Sequence, residues 1–255
     1  MNFQDTQLIG VLARAESTVS SLSNLLGGLV EKFAARGYSL YLVGGSVRDA
    51  LFGRLGNDLD FTTPARPEVV KEILDEWAET VWDTGIDFGT VSAAYKGQQI
   101  EITTFRSDSY DGQSRNPEVV YGDTLEGDLV RRDFKANAMA IELLADASFK
   151  FHDPLHGLQD IADRVLDTPD KPEISFHDDP LRMLRAARFA SQLEFRVADR
   201  VVEAMRDMAG EIQRITVERV QVELDKLICG TAPWDGIDLL VSTGIADYIF
   251  PEIPA

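Results

Sequence analysis

Residues 42–61, LVGGSVRDALFGRLGNDLDF, constrain this chain more than any other stretch. Tyr41, Leu42 and Val43 are strand formers, the pattern breaks at Gly44-Gly45, and a helical pattern over residues 46–52 begins at Ser46. This order predicts a strand, a tight turn and a helix N-terminus. Ser46, followed three residues later by Asp49, reads as a capping arrangement that would leave the amides of Gly45, Ser46 and Val47 facing open space at the positive end of the helix dipole. Such a place suits phosphate. Asp58 and Asp60 follow, two apart in a run of strand formers, so both carboxylates point to one face. Like charges placed so close repel, and a hard divalent cation relieves the repulsion; Mg2+ takes one or two protein carboxylates together with substrate phosphates. A phosphate cradle and a carboxylate pair in this order point to nucleotidyl or phosphoryl transfer. Taken alone, adjacent glycines before a helix are ordinary turn chemistry, and an isolated DxD is a solvated strand end. The glycines are adjacent, which is not the G-x-G-x-x-G spacing of a dinucleotide site.

The remaining chain supplies further polar groups. Residues 1–36 read as helical with a break at Gly27-Gly28, and residues 68–78 as an amphipathic helix opening after Pro67. Residues 80–82, 89–95 and 99–104 read as short strands of one mixed sheet, with Lys96-Gly97-Gln98 as a hairpin turn. Glu101, inside the last of these, is either an edge residue or a third ligand beside Asp58 and Asp60. Residues 106–128 are polar, with many Gly, Ser, Asn and Asp, and read as a long mobile surface loop. Arg131-Arg132-Asp133 and Asn137 then offer donors for a triphosphate and acceptors for ribose hydroxyls, or else a surface ion pair at a helix start. His152 and His156 lie four apart, but Pro154 between them argues against a metal pair. In residues 177–189, HDDPLRMLRAARF, Asp179 and Arg182 would share one helix face at i and i+3. An acceptor beside a fork of donors complements the amino group and ring nitrogen of cytosine or adenine. Uracil and guanine present the reverse order and would leave the pair unsatisfied. The plainer alternative is an intrahelical salt bridge. Arg185 and Arg188 of the same string are further candidate nucleotide-binding residues.

Together LVGGSVRDALFGR, DLDFTT, EITTFR, RRDFKANA, DPLHGLQDI, DDPLR and RITVER resemble the class II branch of the polymerase beta superfamily, the tRNA nucleotidyltransferases (CCA-adding enzymes) and bacterial poly(A) polymerases. The likeness runs over residues 38–251. It implies an α+β chain: a nucleotidyltransferase head with a mixed β-sheet and flanking helices, then an all-helical neck. The expected division is an N-terminal helical extension at 1–36, the head at 37–165, and the nucleobase-reading neck with the start of the body at 166–255. It implies two Mg2+ ions on Asp58 and Asp60, with Glu101 nearby as a catalytic group. Phosphates would lie on Gly44, Gly45, Ser46 and Arg48. Arg132, Asp133 and Asn137 would hold the sugar, and Asp179 with Arg182 would choose the base. The partners implied are CTP, ATP and the 3' end of tRNA. The segment at 106–128 matches a flexible loop linked to the change of specificity from C to A, and RITVER a motif bracing the base-reading helix, with Thr216 as N-cap. Two substitutions depart from the pattern: Lys135-Ala136 after RRDF, and Asp178 where Glu is usual. Family members usually continue into further tRNA-holding helices, so a chain cut short of the whole protein is expected.

Charge is the one global property that resists this reading. The chain carries 25 Lys and Arg against 43 Asp and Glu, a formal charge of -18, whereas a surface that holds nucleic acid is basic where it touches. Residues 182–219 are mildly basic, so RNA contact is expected to be local and salt-sensitive. Cys229 is the only cysteine, which excludes an internal disulfide and fits a reducing cytoplasm; its apolar neighbours suggest a buried thiol. No apolar run is long enough for a membrane span. Poly(A) addition, partial CC or A addition, and a non-catalytic RNA-binding role remain the alternatives.

Overall fold

The computed structural model describes residues 3–26, 28–109 and 118–250. The chain divides into two compact units, Met1–Arg132 with Ala136–Leu158, and Asp133–Lys135 with Gln159–Ala255. In the first, α1 (Phe3–Leu25) and α2 (Leu29–Ala35) precede β1 (Leu40–Val43), α3 (Gly44–Leu51), β2 (Asp58–Thr63), α4 (Pro67–Asp75), β3 (Thr80–Trp82), β4 (Thr90–Tyr95) and β5 (Gln98–Thr104). There follow β6 (Arg106–Ser109), β7 (Glu118–Tyr121), α5 (Leu125–Val130), β8 (Ala140–Leu143) and β9 (Phe149–His152). Seven strands form one sheet in the order β3-β4-β5-β2-β1-β8-β9. Only β2 and β5 run parallel; every other neighbour is antiparallel. The sheet is therefore mixed, as the sequence led us to expect.

Alternation along β2 buries Leu59 and Phe61 and exposes Asp58 and Asp60. Burying two such side chains favours folding by roughly 1.5–3 kcal/mol each, and this fixes the register that turns the carboxylates outward. Lys96 and Gly97 both take positive φ, 49° and 78°, in the turn between β4 and β5, the backbone of a two-residue hairpin. Along α1, Val11, Ala15, Val19 and Leu22 are buried at spacings of three and four, while Leu12 lies off the stripe and is exposed. A break separates α1 from α2, which is capped by Gly28 at φ 85°; Gly27 lies outside the described residues.

Two expectations about the first unit are corrected. The helix after the glycines begins at Gly44, two residues early, with extended Val43 as its N-cap. Residues 106–128 are not one irregular loop. β6 and β7 pair antiparallel, and α5 starts within the segment, its N-cap Thr124 accepting from the Gly127 amide at 3.2 Å. Residues 110–117 of that segment lie outside the described residues, as does Pro251 at the end of the likeness.

After β9, Asp153 accepts from the amides of Gly157 and Leu158 at 2.7 and 3.0 Å, starting α6 (Gly157–Asp163). The second unit continues with β10 (Val165–Leu166), α7 (Pro172–Asp178), α8 (Leu181–Leu193), β11 (Arg196–Val197), α9 (Asp199–Asp207), α10 (Val217–Ile228), α11 (Pro233–Ser242) and α12 (Ala246–Ile249). Helix α8 is the hub, with α7, α10 and α11 packed on it. Among its described residues the elements are helical except for the short parallel pair β10–β11. Cys229, expected to be buried, is exposed.

Candidate active site

Gly44 turns the chain from β1 into α3 with φ 67°, a left-handed value that costs other residues about 1–2 kcal/mol. Space is tight as well: a Cβ there would stand 3.2 Å from Arg132 Nη1 and 3.5 Å from Asp60 Oδ2. The turn, one arginine of the RRD string and one carboxylate of the DxD pair therefore meet at a single point. Ser46 sits inside the first turn of α3, which has no side-chain cap. Its Oγ donates to the Asp58 carbonyl at 3.4 Å and accepts from the Asp60 amide at 3.1 Å. The serine thus clamps the carboxylate strand to the glycine turn, and the expected Ser46–Asp49 capping arrangement does not form.

Asp58 and Asp60 are both exposed on one face of β2. The parallel register sets Asp60 beside Glu101 and Asp58 beside Gln99, so Glu101 faces the same way as the pair. Gln99 Nε2 donates to Glu101 at 3.3 Å. Among the described residues no three His, Cys, Asp or Glu side chains converge as a metal-holding group; in register Glu101 is the β5 neighbour of Asp60. His152 lies against Glu142 at 3.2 Å, and His156 takes φ 61° in the turn before α6.

Helix α5 covers part of the same sheet face. Its Leu125 and Leu129 join Val43, Phe105, Ala138 and Ala140 in one buried cluster. From it Asp128, with no exposed side-chain surface, reaches both arginines. Arg131 donates from Nε and Nη2 to Oδ1 at 3.2 and 2.9 Å, and Arg132 donates from Nη2 to Oδ2 at 3.0 Å. Burial pushes the Asp128 carboxyl up, but the charges and hydrogen bonds of Arg132 and Arg131 outweigh it and hold the group below the ordinary carboxylate range. Arg48, also buried, donates from Nη1 to Asn137 Oδ1 at 2.8 Å and pairs with Asp49 at 3.0 Å. Arg48 and Asn137 are thus joined to one another.

In the second unit Asp133 accepts from the Phe134 amide at 2.8 Å and from Arg185 Nε at 2.8 Å, and it pairs with Arg185 Nη2 as well. Burial by itself lowers the Arg185 guanidinium; the charges of Asp133 and Glu223 overcome that and raise it. Arg188 is buried with Glu223, Nη1 to Oε2 at 3.0 Å, and lies 4.2 Å over the Phe189 ring. Asp179 and Arg182 do not share a helix. Pro180 excludes Asp179 from helical backbone, and Asp179 stands extended at φ −142°, ψ 99° between α7 and α8. Its Oδ1 accepts from the Leu181 amide at 3.1 Å, and its Oδ2 pairs with Arg219 at 3.0 Å. Arg182 Nη1 donates to Ser175 Oγ at 2.8 Å, while its amide donates to the Asp179 carbonyl at 3.0 Å. From the RITVER string Arg214 donates to the His177 carbonyl at 3.0 Å. Thr216 occupies the N-cap position of α10 without a side-chain capping bond.

Two buried carboxylates, Asp128 and Glu223, were not foreseen. Asp128 precedes the arginines at i+3 and i+4, the spacing of side-chain neighbours on a helix. Glu223 lies between Val220 and Leu227 on the buried stripe of α10, and a charge in such a stripe needs a partner.

Comparison with known proteins shows the family and the fold. Residues 40–167 match the poly A polymerase head domain, and residues 194–255 match a probable RNA and SrmB-binding site of polymerase A. A CCA-adding enzyme of Listeria innocua is 40% identical over 222 residues, 87% of this chain and 54% of that protein. The crystal structure of the Bacillus stearothermophilus CCA-adding enzyme in complex with CTP superposes with a TM-score of 0.77 at 36% identity, covering 89% of this chain and 53% of that one. A tRNA nucleotidyltransferase complexed with a primer tRNA and an incoming ATP analogue gives 0.75 at 26% identity, covering 89% of this chain and 64% of that one. The chain spans about half the length of the curated relatives it matches. Among the described residues no helix is long and apolar enough to cross a membrane. With its head domain matched from β1 through β10 and its fold shared with these enzymes, the chain belongs to the poly A polymerase head-domain family, that of the class II tRNA nucleotidyltransferases.

Proposed function

We propose that this chain carries the nucleotide-adding part of a template-independent RNA nucleotidyltransferase, which adds C and A residues from CTP and ATP to the 3' end of tRNA in the cytoplasm and releases pyrophosphate. The observation that carries the reading is the meeting of Gly44, Asp60 and Arg132 on the sheet face that exposes Asp58. Amide donors at a helix N-terminus and a guanidinium suit a phosphate tail, and the adjacent carboxylates suit a hard cation.

Nucleotidyltransferases of this family generally use divalent metal ions. Asp58 and Asp60 fit that group, since they offer oxygen ligands from one exposed face of β2. Two Mg2+ ions held there would supply acidification of the primer hydroxyl and neutralisation of the triphosphate and leaving pyrophosphate. Gly44, Gly45 and Ser46 receive the phosphates, and Arg132, beside Gly44, serves the phosphate tail rather than the sugar. Arg48 supports that turn from within through Asn137 and Asp49. Asp133 and Asn137 hold the ribose, and Arg185 and Arg188 are further nucleotide-binding residues. Asp179 and Arg182 read the base edge; Arg219, Leu181 and Ser175 fix their orientation. A rigid acceptor–donor pair accepts C and A and leaves U and G with opposed groups, which costs about 1–3 kcal/mol for each buried group left unsatisfied. Glu101 stands beside the pair as a further catalytic carboxylate. In this reading residues 37–165 act as head and 166–255 as neck and start of the body.

Incubation with a tRNA lacking its 3' end, Mg2+, and CTP or ATP separately and together, followed by sizing of the product, tests the proposal. Addition of CC with CTP alone and CCA with both is expected. A product extended only by A would identify a poly(A) polymerase instead. Because the chain spans about half of its relatives, equilibrium binding of CTP, ATP, UTP and GTP is measured in parallel; equal affinity for all four would refute the base-reading assignment.

A further inference from the structure

We propose that Asp128 is the positioning residue for the triphosphate: it aims Arg132 at the glycine turn and links that arginine to the base of the β6–β7 hairpin. This rests on the functional reading above and deepens it. Asp128 has no exposed side-chain surface, and each of its oxygens has its own task. Oδ2 takes Arg132 Nη2 at 3.0 Å, while Oδ1 takes Arg131 at 2.9 Å and the backbone amide of Arg106 at 3.3 Å. Arg106 opens β6, so one carboxylate touches the start of the hairpin and both arginines.

Three physical consequences follow. A buried carboxylate is strongly unfavourable without partners, and among the described residues the guanidinia of Arg131 and Arg132 neutralise this one. The Arg132 guanidinium keeps its charge, and its Nη1 lies outside the contact that Nη2 makes with Asp128. Geometry then decides which phosphate. With Nη2 of Arg132 fixed on Asp128, its Nη1 is directed to the point 3.2 Å from where a Gly44 Cβ would be, beside Asp60. Released from Asp128, the guanidinium would be drawn to the Asp60 carboxylate, and the phosphate-binding turn would lose its cation. Arg106 Nη1 also donates to the Phe88 carbonyl at 2.9 Å, which anchors the hairpin base from its other side. Phosphate on Arg132 therefore tightens the start of β6 through a single shared oxygen pair.

The test is equilibrium binding of CTP and CMP to wild type, Asp128→Asn, Arg132→Ala and the double variant, with a thermal melt of each. Asparagine matches the shape of aspartate but lacks its charge. The expected result is a loss of about tenfold or more in CTP affinity for Asp128→Asn, the scale of one charge-assisted hydrogen bond, with CMP affinity unchanged. In the Arg132→Ala background the same substitution adds no further loss. Equal loss for CTP and CMP, or an additive loss in the double variant, would overturn the proposal. A second measurement needs no variant: CTP should slow hydrogen exchange of the Arg106 amide in the wild-type chain, and unchanged exchange there would overturn the link to the hairpin. Wild type that fails to bind CTP at all would refute the functional reading itself, whereas wild-type binding with an unaffected Asp128→Asn would refute this inference alone.

Discussion

Gly44→Ala separates the two demands placed on the turn. At φ 67° the alanine accepts a left-handed backbone, at about 1–2 kcal/mol, partly offset by about 0.4–1 kcal/mol because alanine also restricts the unfolded chain. The net cost is about 1 kcal/mol, a fall of roughly 2–4 °C in melting temperature for a chain of this size. The second effect falls on function. The new Cβ would stand 3.2 Å from Arg132 Nη1 and 3.5 Å from Asp60 Oδ2, so the guanidinium, as the mobile partner, gives way. Displacing one charge-assisted contact to phosphate is worth about 1.5–3 kcal/mol, or roughly ten- to a hundredfold in CTP affinity. Gly97→Ala is the control. Its φ is 78° and nothing lies within 4 Å of the added Cβ, so it carries the backbone cost alone. Differential scanning calorimetry and CTP titration of both variants should give similar melting shifts, with affinity lost only in Gly44→Ala. Wild-type affinity in Gly44→Ala, or equal loss in Gly97→Ala, would refute the claim that the turn and Arg132 form one phosphate site.

Three further outcomes are expected. Glu223→Ala strips Arg188 of its buried partner at 3.0 Å and should destabilise the chain by about 3–5 kcal/mol in urea unfolding; a change below about 1 kcal/mol would show the pair to be dispensable. Because the folded-state pKa of Asp128 is depressed, its contribution is fully present above the unfolded value, about 3.9, and fades as the pH falls through the folded value. Asp128→Asn should accordingly flatten the acid limb of a stability-versus-pH curve, and an unchanged limb would contradict the shift. Arg182→Ala should equalise the affinities for CTP, ATP, UTP and GTP more than it weakens triphosphate binding, as read by competition with a fluorescent nucleotide; retained selection would remove Arg182 from the base-reading pair.

Much of the first unit was legible because its signals are local. Strict alternation at Leu59 and Phe61 set the faces of β2, and the Lys96-Gly97 turn fixed the register of β4 on β5. The helix start after Gly44-Gly45 was misplaced because the usual signal is a capping side chain. Here a left-handed glycine after extended Val43 does that work, and Ser46 is committed to β2. The i, i+3 spacing of Asp179 and Arg182 suggests one helix face, yet Pro180 works against it, since the residue before a proline is driven to extended backbone. Asp128 was hidden by the polar composition around it. A helix is recognised by its apolar stripe, and α5 shows only Leu125 and Leu129 facing the core. Contacts such as Asp133 with Arg185 or Arg106 with Asp128 join residues far apart in the chain, and no local pattern announces them.

The central claim is that Asp58 and Asp60, beside the Gly44 turn, hold a divalent cation together with a nucleotide tail. Titration of CTP into wild type and Asp60→Asn, each with and without Mg2+, tests it on this chain without requiring tRNA. Mg2+ is expected to tighten CTP binding to wild type, and this gain is expected to vanish in a folded Asp60→Asn. The same Mg2+ gain in both proteins would contradict it.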